Sequence, residues 1–434
     1  MAKRLVDYLI IGGGVAGYSC ARQLRAAGAQ GSIAVVSRDP DPPYDRTACS
    51  KRYLQGQASR EDTLLAPADW WQTQQVELLT RTSALSLDLG EREVKLSSKQ
   101  SVGFGQLLLA TGANVRRLRV DGSDLQGIHY LRALGNADGI RRDAEDADHL
   151  VMVGGSYIAT EVAASLTELG KRCTLVMQEM VTLERGFGPQ AGRFFQAVLE
   201  GKGIAVRAED EVAAFEGADG RVTAVVTKNG ARVPADVVVI GAGVIPDVTL
   251  AQRAGLELGP RGGVKTDASL RTSVPGVFAA GDMCEYASAV HDGALLRIEH
   301  WDVAERQGET VARAMLGDTA PHDVVPYFFS DLSDWASLEY VGPAHRWDEE
   351  IVRGTLTDGA FTIWYVDGGR IAAALCVGRS HDLDIARELI RDKVDVSAWR
   401  QELADPDYDL HSLHAADATP LERSRVRPDG DSAG

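Results

Sequence analysis

The chain has 434 residues, enough for two to four domains. Hydrophobic residues make up 44% and charged residues 25%, which excludes a disordered or fibrous chain and implies a large buried core. A formal net charge of -16 excludes a general attraction to nucleic acid or to an anionic membrane surface.

The N-terminus, MAKRLVDYLIIGGGVAG, starts basic and turns apolar as a secretory leader does. Its apolar run is short and breaks into glycines, so the expectation is a cytoplasmic protein with no membrane span. Residues Asp7–Asp39 instead spell strand, glycine turn, amphipathic helix, second strand and terminal acid. This is the βαβ dinucleotide-binding pattern. Gly12, Gly14 and Gly17 form GxGxxG directly after the strand Tyr8–Ile11. Gly12 permits the tight turn, Gly14 lets a pyrophosphate reach the backbone, and Gly17 lets the helix pack on the strand. The helix N-terminus offers free N–H groups to phosphate. Asp39 closes the second strand, where an acid accepts hydrogen bonds from a ribose.

Residues Asp148–Glu179 repeat the pattern in degraded form, with Gly154, Ser156 and Ala159 at the three positions. Ser156 still permits close approach, and alanine is a common third residue. Two such units imply two dinucleotides, most simply FAD and NAD(P)H. Glu179 ends the second unit a residue or two late, and no arginine or lysine follows until Arg185. An acid there serves a ribose 2′-hydroxyl and an arginine a 2′-phosphate, so NADH is favoured over NADPH. Arg221–Thr227 alternates as a strand. Ile351–Gly354, Phe361–Val366 and Arg370–Val377 alternate as antiparallel strands with turns between them, and a helix His381–Asp392 follows. The polar tail after Asp405 is expected to be disordered over its last twenty or so residues.

The five cysteines, Cys20, Cys49, Cys173, Cys284 and Cys376, form no CxxC or CxxxxC pair. The spacing argues against a disulfide framework, a zinc ribbon or any other metal site, and an active-site dithiol of neighbouring cysteines. It fits a reducing cytosol.

Further motifs carry a resemblance. They are PPYDRTACSK (Pro42–Lys51), LLLATGA (Leu107–Ala113), VVVIGAGVIPD (Val237–Asp247), GVFAAGD (Gly276–Asp282), EHWDVAERQG (Glu299–Gly308), and PYFFSDL with EYVG (Pro326–Gly342). With the two glycine turns they make the chain resemble the FAD-dependent pyridine nucleotide-disulfide oxidoreductases, up to about Leu413. It looks most like the ferredoxin reductases of oxygenase systems, with monodehydroascorbate reductase and apoptosis-inducing factor as cousins. The resemblance implies an α/β fold of two Rossmann-like dinucleotide-binding domains (glutathione reductase-like) plus a C-terminal α+β domain. The expected FAD-binding domain is 1–115 with 246–322, the NAD-binding domain 116–245, the C-terminal domain 323–400 and the tail 401–434.

The resemblance also implies site residues. Arg46, Lys51, Ala110, Thr111, Gly112, Gly243, Gly281 and Asp282 line FAD, with Asp282 on the ribityl chain. Trp301 lies over the flavin–nicotinamide region, with Glu299 and His300 on the nicotinamide side. Tyr157, Ile158 and Glu161 follow the second glycine turn. Lys51 and Glu161 form an ion pair near flavin N5, where positive charge stabilises reduced flavin. Lys51, Glu161 and Trp301 are therefore the candidate catalytic residues. The chain departs from the disulfide reductases in lacking CxxxxC, so no dithiol relay is expected. Cys49 has two readings: a buried structural thiol, favoured by the ferredoxin reductase-like surroundings, or a peroxide-reactive thiolate beside Lys51.

The implied activity is NAD(P)H oxidation, with electrons passed through flavin to a partner. The resemblance implies an iron–sulfur ferredoxin as that partner, and since no cluster-binding cysteine pattern occurs here the cluster would be the partner's own. The assembly is expected to be a monomer or homodimer. A basic docking face would draw on Arg116, Arg117 and Arg119, with Arg297, Arg306 and Arg313; scattered solvated arginines are the alternative. Two other functions stay open. One is a reductase or oxidase of small acceptors such as quinone, monodehydroascorbate, oxygen or peroxide. The other is a redox-sensing flavoprotein like apoptosis-inducing factor.

Overall fold

The computed structural model describes residues 4–414. Two compact units are distinguished, Met1–Ser337 and Leu338–Gly434. The disorder expected for the last twenty or so residues concerns positions outside the described ones.

Two large sheets lie in the first unit, the first mixed, with Glu93–Leu96 antiparallel to both its neighbours, and the second parallel. In the first sheet the order is Val76–Leu79, Ile33–Val36, Arg4–Ile11, Ser101–Leu109, Glu93–Leu96, Ala84–Asp88. Arg4–Ile11 pairs in parallel with the strands on both sides of it. Val277–Ala279 comes from far along the chain and adds in parallel to Ser101–Leu109, with Val277 opposite Leu107. Leu9, Ile10, Val35, Leu107, Leu108 and Leu109 are all fully buried. A continuous apolar run of this kind marks strands covered on both faces. The helix Val15–Ala26 packs against the helix Trp301–Met315. Gly308 makes that contact possible, since a Cβ there would lie 2.3 Å from the Ala16 carbonyl oxygen.

The second sheet has the order Ala205–Arg207, Arg172–Val176, His149–Val153, Val237–Ile240, Ile128–Tyr130, parallel throughout. An antiparallel ribbon of Val212–Ala218, Arg221–Thr227 and Arg232–Pro234 shares its core through Val222, Val225 and Val238. The chain passes between the two sheets twice, through Ala113–Val115 and Val244–Pro246. These crossings pair antiparallel, Val115 opposite Val244, so each satisfies the other's backbone. The strand Tyr327–Leu332 also belongs to this first compact unit, although its motif reads as the start of the C-terminal domain.

The second unit carries an antiparallel sheet in the order Ala336–Val341, Arg370–Val377, Ala360–Asp367, Glu349–Thr355. The helix His381–Arg391 lies against Arg370–Val377. The three expected strands and the helix are present, and Gly359, Gly368 and Gly369 take positive φ at the turns. Arg353 is buried beside Asp382, 3.3 Å from its carboxylate. Its guanidinium also donates to the carbonyls of Pro406 at 3.2 Å and Tyr408 at 2.9 Å. One buried cation thus holds a polar segment that composition alone marks as tail. The architecture is α/β, with two Rossmann-like sheets followed by an α+β unit.

His322 lies beyond the helix Trp301–Met315, buried edge-on against Tyr286, with Nδ1 3.1 Å from Thr310 Oγ1. Burial pushes its imidazole down to about 4 from an ordinary 6.5. Between these values the unfolded chain binds a proton that the folded chain refuses, so stability falls as pH drops through the window. The His322 contribution lost by pH 4 is about 3 kcal/mol. Urea unfolding at pH 7 and pH 4.5 should show a steeper acid loss in the wild type than in His322→Gln.

Candidate active site

The two glycine turns share one construction. After Arg4–Ile11, Gly12 has φ +132°, and a Cβ there would lie 2.0 Å from the Ala110 carbonyl oxygen. After His149–Val153, Gly154 has φ +118°, and a Cβ would lie 2.5 Å from the Gly241 carbonyl oxygen. In each case the backbone following a neighbouring strand presses on the turn, so only glycine fits. The helices Val15–Ala26 and Tyr157–Glu168 start from extended N-caps, Gly14 and Ser156, and neither receives a side-chain cap. The Ser156 hydroxyl donates instead to the Gly241 carbonyl at 3.1 Å. The space a Gly14 side chain would fill is open, whereas Gly17 rests against the Gly12 carbonyl. Both helices therefore present uncapped N–H groups, the arrangement that receives a phosphate.

A polar chain links Asp39, at the end of the first βαβ segment, to the GVFAAGD motif. Asp39 accepts from Tyr44 at 2.9 Å and pairs with Arg46 at 3.1 Å. Arg46 donates to the Arg132 carbonyl at 2.9 Å, and the Arg132 guanidinium pairs with Asp282 at 2.8 Å. A Cβ on Gly112 would meet both Arg132 and Asp282. Gly281 sits over Ala16 on the first turn of the Val15–Ala26 helix. Thr111 donates to the Asp247 carbonyl at 2.6 Å. Thus Gly12, Gly14, Asp39, Arg46, Ala110, Thr111, Gly112, Gly281 and Asp282 are brought together. Gly243, with φ +87° and open space around it, lies at the crossing strand Val244–Pro246.

The second convergence is a buried ion pair. Lys51 Nζ lies 2.8 Å from Glu161 Oε1, with side chains 15% and 4% exposed. Glu161 also accepts from Ser50 at 2.5 Å and Ser330 at 2.6 Å. Ser165, four residues on, donates to the Ser50 carbonyl at 2.6 Å. Tyr157, Glu161 and Ser165 share one face of their helix at a spacing of four. The ring of Phe328 packs against that of Tyr157 at 4.6 Å and lies 4.8 Å from that of His300. Phe187 completes the cluster, 6.1 Å from Tyr157. Burial, with Glu299 and Glu161 nearby, pushes Tyr157 up to about 12, so it stays a neutral phenol. Trp301 Nε1 is buried without a hydrogen-bond partner among the described residues. Glu299 pairs with Arg297, and burial raises its carboxyl above the usual range. Ile158 is half-buried on the first turn of its helix. Glu179 lies beside the second glycine turn, where a Cβ on Gly155 would be 3.4 Å from its carboxylate. It is held at 2.5 Å by Arg185.

Cys49 is buried, and burial pushes its thiol up to about 12 despite the opposing charge of Arg46. A thiolate at neutral pH therefore has no physical basis there. Of the expected basic face, three members answer to acids of the chain itself. Arg297 pairs with Glu299, Arg306 with Asp302 and Glu309, and Arg313 with Asp318. Arg116, Arg117 and Arg119 are exposed, with Arg117 over the Tyr130 ring.

The family model described as pyridine nucleotide-disulphide oxidoreductase matches residues 6–308, and one described as reductase C-terminal matches 327–414. The chain belongs to the pyridine nucleotide-disulphide oxidoreductase family. A ferredoxin–NAD(P)(+) reductase of Sphingomonas sp is 33% identical over 408 residues, 94% of this chain and 97% of that protein. Putidaredoxin reductase of Pseudomonas putida is 32% identical over 395 residues, 90% of this chain and 93% of that protein. The solved covalent putidaredoxin reductase–putidaredoxin complex has a chain that superposes with a TM-score of 0.88 at 32% identity. That match covers 94% of this chain and 98% of the other. Unlike the name of its family, this member has all five cysteines free and buried.

Several site residues escape motif reading. Arg132 follows the strand Ile128–Tyr130 in no motif. Ser50, Phe328 and Ser330 sit inside quoted motifs, yet nothing local shows that a distant glutamate and tyrosine await them.

The ion pair makes a stability prediction. Glu161→Ala leaves the Lys51 ammonium and two hydroxyls without their acceptor, at a cost of about 3–5 kcal/mol. The double variant Lys51→Met/Glu161→Leu should recover only the part of that loss owed to the unpaired charge, because the buried Ser50 and Ser330 hydroxyls still lack their carboxylate acceptor. Urea unfolding of the three proteins tests the pair.

Proposed function

We propose that the protein is an FAD-dependent NAD(P)H oxidoreductase that takes electrons from NADH and delivers them to an iron–sulfur ferredoxin. The observation that carries the reading is the buried Lys51–Glu161 pair, whose two members follow the two glycine turns in sequence. On this reading the pair supplies a fixed cation where two dinucleotides would meet. The relatives named as ferredoxin–NAD(P)(+) reductase and putidaredoxin reductase, similar over nearly their whole lengths, support the acceptor class. The five cysteines of these 434 residues show no cluster-binding spacing, so on this reading the cluster belongs to the partner.

The residues present fit FAD. The uncapped turn Gly12–Gly14 and helix Val15–Ala26 receive the pyrophosphate, and Asp39 with Arg46 stands where a ribose is held. Asp282 and Arg132, paired with each other, would meet the ribityl and phosphate portion. The orphaned Trp301 Nε1 is a buried donor in want of an acceptor, which a bound ring system supplies. When bound, FAD accepts two electrons as hydride from nicotinamide and releases them singly to a one-electron acceptor. The work of the chain is positional and electrostatic. Gly154, Ser156 and Glu179 hold the nicotinamide dinucleotide, and Tyr157, Phe187, Phe328 and His300 form an apolar aromatic wall that limits water. The Lys51 ammonium supplies a fixed positive charge for the negative charge of the reduced state. We assign residues 1–115 with 246–322 to FAD, 116–245 to NAD(P)H and the C-terminal portion to a supporting role. We place the protein in the cytoplasm, on its free buried cysteines. Among the described residues no helix is long and apolar enough to cross a membrane.

Anaerobic stopped-flow mixing tests the function. NADH should bleach the flavin band faster than NADPH, and the reduced protein should reoxidise faster with a ferredoxin than with oxygen or quinone. Loss of a hydrogen bond to a charged group is worth about 1.5–3 kcal/mol, so Glu179→Ala, which also frees Arg185, should cut the NADH preference about tenfold. Cys49→Ser should leave turnover unchanged. A colourless protein that refuses FAD defeats the assignment.

A further inference from the structure

We propose that Ser330 is a positioning residue that sets how much of the Lys51 charge is available to the flavin, with Ser50 as its counterpart on the other carboxylate oxygen. The proposal rests on the function just given and assigns a role to two hydroxyls that lie within motifs but are not singled out by them.

The geometry is an unequal division of one carboxylate. Glu161 Oε1 takes both Lys51, at 2.8 Å, and the Ser330 hydroxyl, at 2.6 Å. Oε2 takes the Ser50 hydroxyl at 2.5 Å. Glu161, Ser50 and Ser330 are 3%, 1% and 2% exposed, so water does not compete for these positions. A carboxylate paired with lysine only accepts hydrogen bonds, so both serines donate to it. In a dry site such dipoles act strongly on a neighbouring charge.

The backbone leaves Ser330 little freedom. Phe328 and Ser330 alternate on the strand Tyr327–Leu332 and therefore share a face. They meet Tyr157 and Glu161, which are four apart on one helix face. Between them Phe329 lies with its ring 5.7 Å from Lys51 Nζ. Three successive residues of one strand thus touch the aromatic wall, the lysine and its counter-ion.

The electrostatic consequence has a definite sign. The field that a Lys–Glu pair exerts nearby is that of its ammonium less that of its carboxylate. Hydroxyl hydrogens directed at the carboxylate offset part of the negative member and leave more of the positive one. Removing the Ser330 hydroxyl gives Oε1 to Lys51 alone. The pair then tightens, and less positive potential reaches the neighbouring ring, where reduction places negative charge. A buried hydrogen bond to a charged group has a worth of order tenfold in an equilibrium. The flavin equilibrium should therefore shift about tenfold toward the oxidised form, equivalent to ~30 mV for a two-electron couple.

The test uses the holoenzyme of wild type, Ser330→Ala, Ser330→Thr and Ser50→Ala. Flavin occupancy is read from the visible spectrum, midpoint potential by equilibration with a reference dye, and kcat and KM for NADH from steady-state turnover. Ser330→Ala should lower the potential by the tenfold equivalent and reduce kcat with KM unchanged, and Ser330→Thr should restore both. Ser50→Ala should lower the potential in the same sense, which keeps the test open should Ser330→Ala fail to fold. A flavin-replete Ser330→Ala or Ser50→Ala protein that is less stable but has the wild-type potential overturns the proposal and leaves the serines a purely structural role. A wild-type chain that retains no flavin overturns the function itself, a result separable from the first because it appears before any substitution is made.

Discussion

A lysine that follows the first glycine turn and a glutamate that follows the second meet in a buried ion pair, and the rest of the site is arranged around that contact. Two charges taken from water repay their desolvation only where geometry is close and the remaining hydrogen-bond sites are filled. Here they are filled by Ser50, the neighbour of Lys51 in sequence, and by Ser330 from a third segment. The pair binds the segment Pro42–Lys51, the helix Tyr157–Glu168 and the strand Tyr327–Leu332 into one node. A cation held in place by its counter-ion results. Such a charge does its electrostatic work without reorganising when the reaction occurs.

The same economy governs the two dinucleotide sites. Each sheet sends the carbonyl that follows one strand against the glycine that ends its neighbour, Ala110 on Gly12 and Gly241 on Gly154. This contact bends the chain so that the next helix points its uncapped end into open space. The degraded motif of the second βαβ segment works because the demand falls mainly on its first position. Gly154 meets the carbonyl, while Ser156 turns its hydroxyl back onto the Gly241 backbone and leaves the helix end clear. A serine is tolerated at the second position because its side chain has somewhere else to go.

Acidic composition and electron transfer to a ferredoxin-type partner fit together less simply. Three of the six arginines that sequence offers for a docking face are neutralised by carboxylates of the same surface. Arg116, Arg117 and Arg119, which show no such pair among the described residues, lie next to the crossing strand Ala113–Val115. A cation in a run of sequence is a resource for docking only if folding does not bring it an acid.

Sequence alone determined the two βαβ units, the position of both glycine turns, the alternating strands of the second unit and the kinship with ferredoxin reductases. These are local: periodicity of 3.6 or 2, a glycine where the backbone must turn, and an acid at a strand end are all written within about thirty residues of each other. It also marked Lys51 and Glu161 as candidates, through motifs rather than through any local sign that they touch. Tertiary structure decided what lies across the chain. It supplied the Arg132–Asp282 pair, the Ser330 hydroxyl on Glu161 and the Phe328 ring on Tyr157. It also decided the internal pairing of Arg297, Arg306 and Arg313, and the burial that leaves Cys49 a protonated thiol. A side chain's charge state and usefulness depend on desolvation and on neighbours within a few ångströms, and those neighbours come from distant segments that no spacing rule connects.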